Sequence, residues 1–187
     1  MNLKKVTTGK DWKQIKNLYM TAFPACERKP LTVIRYKQHK KVADVWMLED
    51  EGEFIGLAIT MNGPDLVLLD YFAIDESKRG NGYGAKALKL LQEIYADYRF
   101  FLEIERIDVE ADNIEERKRR KSFYLKNGMT ELKVYAVLFG VEMELLGYQC
   151  KVNFEEYHNL YVSNYGKIAE KNVIKSVWNA GNYERLR

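Results

Sequence analysis

Apolar residues along this chain recur with two periods, and the switches between them mark out its elements. Leu3 to Val6 suits a short strand. Thr8 and Asp11 form a helix-start pair, and Trp12, Ile15, Leu18, Tyr19 and Ala22 follow at helical spacing. That helix stops near Phe23-Pro24. The segment from Ala22 to Pro30 has no regular period and holds two prolines, so it reads as a loop, leading into a poorly patterned second helix over Thr32 to Lys41. Val42 to Leu48 and Phe54 to Thr60 are strand-like runs, parted by the polar stretch Glu49 to Glu53 in which Gly52 supplies a hairpin turn. Leu66 to Ile74 is a third strand, bounded before it by Asn62-Gly63-Pro64-Asp65. Short links between successive strands predict an antiparallel meander.

Beyond Gly84 the apolar positions Ala87, Leu88, Leu91, Ile94, Tyr95 and Tyr98 line one face of a helix. Phe100 to Glu105 is the next strand, and the unit from 66 to 105 should be parallel with a right-handed crossover. Ile114 to Asn127 reads as a helix stopped by Gly128. Met129 to Phe139 and Val141 to Val152 are strand-like segments around Gly140. Asn153 and Glu156 then open a helix carrying Phe154, Tyr157, Leu160, Tyr161, Tyr165 and Ile168, aromatics that suit core or interface packing. From Lys171 the signal is mixed and supports no assignment.

Composition narrows the class. A chain of 187 residues, 47% hydrophobic and 30% charged, suits one domain with a substantial core. A net charge of +3 is too small to argue for nucleic acid. Two cysteines, Cys26 and Cys150, and two histidines form no spaced ligand set, so no metal is expected and the thiols should be reduced and partly buried. The start MNLKKVTTGK lacks the apolar core of a signal peptide, and no apolar run approaches ~18 residues, so no membrane partner is expected. These features fit a soluble, cytoplasmic protein. Five consecutive cations, Arg117 to Lys121, invite a nucleic-acid reading, but consecutive helical residues point around the helix and Glu115 and Glu116 stand beside them.

The chemistry concentrates between Leu66 and Tyr98. An apolar strand runs into Lys78, Arg79, Gly80, Gly82 and Gly84, and these open onto the amphipathic helix. Glycines let backbone N–H groups approach a ligand, a helix N-terminus offers unpaired donors, and adjacent cations add charge. Together they describe an anion site, best suited to phosphate or pyrophosphate. Gly80-x-Gly82-x-x-Ala85 also fits the dinucleotide fingerprint, with Glu103 or Glu105 downstream. That fingerprint begins directly at a strand end, whereas Asp75 to Arg79 intervene here.

Arg79-x-x-Gly82-x-Gly84, behind a strand ending Phe72-Ala73-Ile74, resembles the Q/R-x-x-G-x-G/A motif of the GNAT superfamily of acyl-CoA-dependent N-acyltransferases. Ser122 to Met129 is similar to that family's second pattern, Tyr-Glu-Lys-x-Gly-Phe, with Leu125 for the common Glu and Met129 for the common Phe. The resemblance covers about residues 42 to 139. It implies an α/β fold, α+β-like in layout: one GNAT-type domain over 1–187 with a mixed, mostly antiparallel six- to seven-stranded sheet flanked by helices. Residues 140–187 would be a C-terminal strand and helix extension.

The resemblance further implies that acetyl-CoA is the co-substrate, with Arg79, Gly80, Asn81, Gly82, Tyr83, Gly84 and Ala85 holding its pyrophosphate. Phe72, Ala73 and Ile74 would hold the pantetheine arm, and a backbone N–H on that strand, freed by a bulge in family members, would polarise the thioester carbonyl. Tyr124 would protonate the departing thiolate, since a phenol of pKa about 10 can donate to a thiolate of about 8.5. Deprotonating the attacking amine calls for a carboxylate. Asp70, Glu103 and Glu105 are the candidates, with Glu103 aligned to a position that serves as base in some members. The loop carrying Glu27 and Arg28 would lie beside the acceptor cleft. The function implied is acetyl transfer to a primary amine; a non-catalytic acyl-CoA-binding module and a dinucleotide-binding domain are the alternatives. Small molecule, peptide and protein acceptors stay open, as does a homodimer built on the aromatic C-terminal half.

Overall fold

The helix-start pair read at Thr8 and Asp11 closes as a reciprocal cap, and it anchors the first of two units. The computed structural model describes residues 1–25 and 27–177, and the chain divides into Met1–Tyr98 and the portion from Arg99 onward. Cys26 lies outside the described residues.

The first unit holds β1 (Asn2–Lys5), α1 (Gly9–Ala22), α2 (Leu31–His39), β2 (Ala43–Asp50), β3 (Glu53–Asn62), β4 (Leu66–Ile74) and α3 (Tyr83–Ile94). Its strands pair antiparallel in the order β1-β2-β3-β4, the meander the short links predict. The β2–β3 turn is Glu51-Gly52, both with positive φ (50° and 83°), the two-residue geometry that follows strand twist. Trp12, Ile15, Leu18 and Tyr19 of α1 and Ile34 of α2 pack on Val45, Met47, Leu57, Ile59, Tyr71 and Ala73. Ala87 and Tyr83 of α3 pack on the other face, against Leu48, Ile55, Phe72 and Ile74. Alternate residues of β4 thus serve opposite layers.

One irregularity interrupts β4. The register passes from Ile59–Tyr71 to Thr60–Leu69, so Asp70 has no partner across the ladder and forms a β-bulge.

The second unit holds β5 (Arg99–Glu105), α4 (Ile114–Lys126), β6 (Thr130–Leu138), β7 (Val141–Tyr148), α5 (Phe154–Tyr165), α6 (Lys167–Asn172) and β8 (Val173–Ser176). Its strands run antiparallel in the order β5-β7-β6-β8. The units hold eight strands among the described residues, against six to seven expected; the addition is β8, in the tail where the pattern supports no assignment. The helix expected to reach Ile168 is two helices, because Gly166 (φ 59°, ψ −142°) interrupts it. Helix α5 starts at the Asn153/Glu156 capping box read from sequence. Cys150 is a half-buried free thiol that donates to the Phe100 carbonyl at 3.3 Å.

The α1 cap carries a pH signature. Asp11 accepts from the Thr7 and Thr8 amides (3.2 and 3.0 Å) and from Lys4 Nζ (2.9 Å), which hold its carboxyl below the usual carboxylate range. A depressed folded-state pKa contributes stability above the unfolded value and loses it as pH falls through the folded one. Asp11→Asn should therefore destabilise the protein by about 1 kcal/mol at pH 7. The gap to wild type in urea melts should shrink below pH ~4; a gap independent of pH would contradict a charged cap.

Candidate active site

The glycine turn after β4 is built as its residues require. Asp75 caps a single 3-10 turn, Glu76–Lys78, by accepting from the Ser77 amide at 3.0 Å and its hydroxyl at 2.6 Å. The five residues from Asp75 to Arg79 set the glycines back from the strand end. Gly80 (φ 82°) and Gly82 (φ 74°) then take left-handed conformations that a side chain would strain. A Cβ at either would meet nothing within 4 Å, so the turn faces open space. Gly82 is the N-cap of α3, and no side chain caps that helix start. Its first N–H groups are therefore left to a ligand or solvent. Arg79, exposed, reaches back to the Ile74 carbonyl at 3.2 Å, and Asn81 ties the turn to the Lys78 and Arg79 carbonyls. Tyr83 is half-buried, its hydroxyl donating to Asp50 at 3.1 Å. Gly84 and Ala85 form the first turn of α3.

Preceding that turn, β4 presents Phe72 and Ile74 to the α3 layer and Ala73 to the α1 layer. The bulge turns Asp70 and Tyr71 toward the loop between α1 and α2. Lys29 Nζ lies 2.6 and 2.7 Å from the two Asp70 oxygens. The Tyr71 hydroxyl donates to the Glu27 carbonyl at 2.7 Å and accepts from the Lys29 amide at 3.0 Å, while Tyr19 donates to the Lys29 carbonyl at 3.0 Å. Burial, then the Asp70 charge, pushes the Tyr71 phenol far above its usual range, so it stays a hydrogen-bonding group. Arg28 turns away and donates to the Met20 carbonyl at 2.8 Å.

In the second unit, Tyr124 sits in the last turn of α4, and the helix stop fixes its place. Met129 N donates to the Tyr124 carbonyl (3.1 Å) and Gly128 N to that of Leu125 (3.2 Å), with Gly128 at φ 87°. This is the Schellman arrangement, and it explains why the Tyr-to-Gly spacing is needed. Tyr124 is buried, its ring against Phe123, and its hydroxyl has no hydrogen-bond partner among the described residues. Burial pushes the phenol up to about 12, with Arg120 opposing.

The β5 carboxylates part company. Glu103 accepts from Tyr157 at 2.6 Å and Tyr161 at 2.5 Å, two fully buried phenols one helical turn apart on α5. Glu105 is taken by Arg117 (2.8 Å) and Arg120 (2.7 Å). The cationic run is largely spent in this way: Lys118 pairs with Glu115, and Lys121 with Glu131 and Glu144. Among the described residues no group of His, Cys, Asp or Glu could hold a metal ion, and no helix is long and apolar enough to cross a membrane.

Sequence pattern alone does not single out Lys29, Tyr19, Tyr71, Tyr157 or Tyr161 for the site. Only the tyrosine pair on α5 leaves a signal, an i, i+4 spacing on a helix face, and packing accounts for it equally well.

The comparisons with known proteins bear on this geometry. A family model described as the acetyltransferase (GNAT) family matches residues 12–129. The chain belongs to the GNAT acetyltransferases. It is thus a GNAT-type acyltransferase, of a family whose acyl donor is acetyl-CoA. No curated protein matches it in sequence. A GNAT-family protein from Bacteroides thetaiotaomicron is 24% identical, with a TM-score of 0.76, over 89% of this chain and 99% of the other. A spermidine N-acetyltransferase from Vibrio cholerae (14% identity, TM-score 0.60) covers 79% of this chain and 94% of its own. An aminoglycoside 6'-N-acetyltransferase complexed with coenzyme A (15% identity, TM-score 0.62) covers 79% and 96%. At these identities the likeness speaks to the fold, which is the GNAT fold expected from sequence. The family match ends near Met129, so the tyrosines on Glu103 lie beyond it.

Replacing either phenol tests how Glu103 is held. Tyr157→Phe and Tyr161→Phe should each cost about 1.5–3 kcal/mol, as hydrogen bonds to a charged group do. Urea denaturation of the two variants measures this; a cost below ~0.5 kcal/mol for both would mean that Glu103 does not depend on them.

Proposed function

We propose that this GNAT protein transfers the acetyl group of acetyl-CoA directly to a primary amine. The observation that carries the reading is the uncapped start of α3 behind two left-handed glycines, with Arg79 beside it. Residues Arg79 to Ala85 would hold the pyrophosphate on backbone N–H groups and the helix dipole. Phe72, Ala73 and Ile74 would hold the pantetheine arm along β4, and the bulge at Asp70 is the kind of irregularity that frees a strand N–H for a carbonyl oxygen.

Tyr124 would be the general acid. Its hydroxyl is free to meet a ligand, and a pKa of about 12 keeps its proton in place at neutral pH. Glu103 would be the base. Two tyrosines, Tyr157 and Tyr161, hold one oxygen each and fix the orientation of its carboxylate on β5. Glu105 is instead engaged by Arg117 and Arg120. Two solved proteins of this fold are named for amine acceptors as different as an aminoglycoside and spermidine, and an amine is the acceptor class inferred here. Residues 140–187 would serve the same domain as an extension whose α5 steadies Glu103.

The dinucleotide alternative is weakened by the 3-10 turn that separates the strand from the glycines. A non-catalytic acyl-CoA-binding module differs from an enzyme in turnover alone. Amine-dependent release of free thiol from acetyl-CoA, measured over a panel of primary amines, separates the two. Tyr124→Phe and Glu103→Gln should each lower kcat by about 10²–10⁴-fold while leaving the Kd for acetyl-CoA unchanged. Unaltered kcat in either variant would remove that residue from the chemistry.

A further inference from the structure

The contact between the bulge and the α1–α2 loop has a feature that packing alone does not require. Asp70 is nearly buried, with its side chain 8% exposed, and both its oxygens are taken by one flexible primary ammonium, Lys29 Nζ, itself 19% exposed. A buried carboxylate without a cation costs several kcal/mol, so this position always demands one. The loop itself does not depend on that side chain. Its backbone is held separately, by Tyr19 on the Lys29 carbonyl and by Tyr71 on the Lys29 amide and the Glu27 carbonyl. These backbone ties do not involve the Lys29 ammonium, which also lies 5.5 Å over the Tyr71 ring.

Position gives this ion pair a role. Asp70 lies two residues before Phe72, about 7 Å along the strand, on the side away from the glycine turn. If the pantetheine arm runs from that turn back along Ile74, Ala73 and Phe72, its reactive end arrives at the bulge. We infer that Asp70 is the subsite that receives the primary ammonium of the acceptor, and that Lys29 occupies it as a resident counter-ion which the acceptor displaces. The inference rests on the acetyl-CoA reading and adds to it the acceptor's chemical class, a cationic primary amine.

Two more observations shape the exchange. Lys29 Nζ meets both Asp70 oxygens and so stands as the placeholder in this exchange. Lys37 on α2 is buried close enough for the charge of Lys29 to add to burial in pushing its ammonium down. Both Asp70 oxygens are already paired with Lys29, so an incoming ammonium enters by replacing it. Its nitrogen, once it has lost a proton to the base, forms the new C–N bond as the C–S bond breaks, and the thiol leaves with a proton.

Lys29→Ala removes the three carbons and the ammonium of n-propylammonium, which makes n-propylamine the natural probe. With acetyl-CoA present, the variant should release free thiol in saturable dependence on n-propylamine, about tenfold or more above wild type. Lys29→Ala/Asp70→Asn should lose the gain. Lys29→Gln, which leaves the Asp70 charge unmatched but keeps a polar side chain, should show the same gain if the alanine variant does not fold. Wild-type rates in both Lys29 variants, or a gain that survives Asp70→Asn, would overturn the inference while acetyl-CoA binding by calorimetry persists. Failure of wild type to bind acetyl-CoA would instead overturn the reading on which it rests.

Discussion

The bulge at Asp70 is the constraint on which the first unit's functional geometry depends. A regular β4 would send successive side chains to opposite faces without exception. The extra residue bends the strand and lets Asp70 and Tyr71 together meet the loop from α1. Tyr71 then fastens that loop by two backbone hydrogen bonds, and Asp70 takes its lysine. Beyond the bulge the strand resumes its alternation, with Phe72 and Ile74 toward α3 and Ala73 toward α1. A sheet strand becomes, within five residues, a loop anchor at one end and the lead-in to a phosphate turn at the other.

In the second unit the equivalent constraint is electrostatic. Helix α4 carries five consecutive cations, and the strands beside it carry Glu105, Glu131 and Glu144. Glu144 is buried, and burial raises its carboxyl although Lys121 opposes the shift. Charge pairing of this kind fixes which way α4 faces, and with it the turn that holds Tyr124. It also accounts for a run that composition alone would offer to nucleic acid. Glu103, on the same strand as Glu105, is held by two phenols of α5.

The parts of the fold that are legible in the sequence are those with local causes. The capping boxes at Thr8/Asp11 and Asn153/Glu156, the Gly52 turn and the Gly128 stop each depend on residues within a few positions. The glycine turn and Tyr124 are legible for the same reason. What escapes depends on distant pairs: Lys29 with Asp70, forty-one positions apart, and Tyr161 with Glu103, fifty-eight apart. No periodicity encodes such meetings. Strand β8 escapes because four residues beside a six-residue helix give too short a pattern to separate the two periods. The break at Gly166 is hidden because Ile168 keeps helical spacing across it.

The central claim is that the Arg79–Ala85 turn binds the pyrophosphate of acetyl-CoA. Calorimetric titration of wild type and Arg79→Glu with acetyl-CoA, and of wild type with NADH, tests it directly. The account predicts micromolar binding of acetyl-CoA by wild type, a loss of at least about tenfold in the variant, and no heat from NADH. Binding of NADH with silence toward acetyl-CoA, or acetyl-CoA binding indifferent to Arg79→Glu, would contradict it.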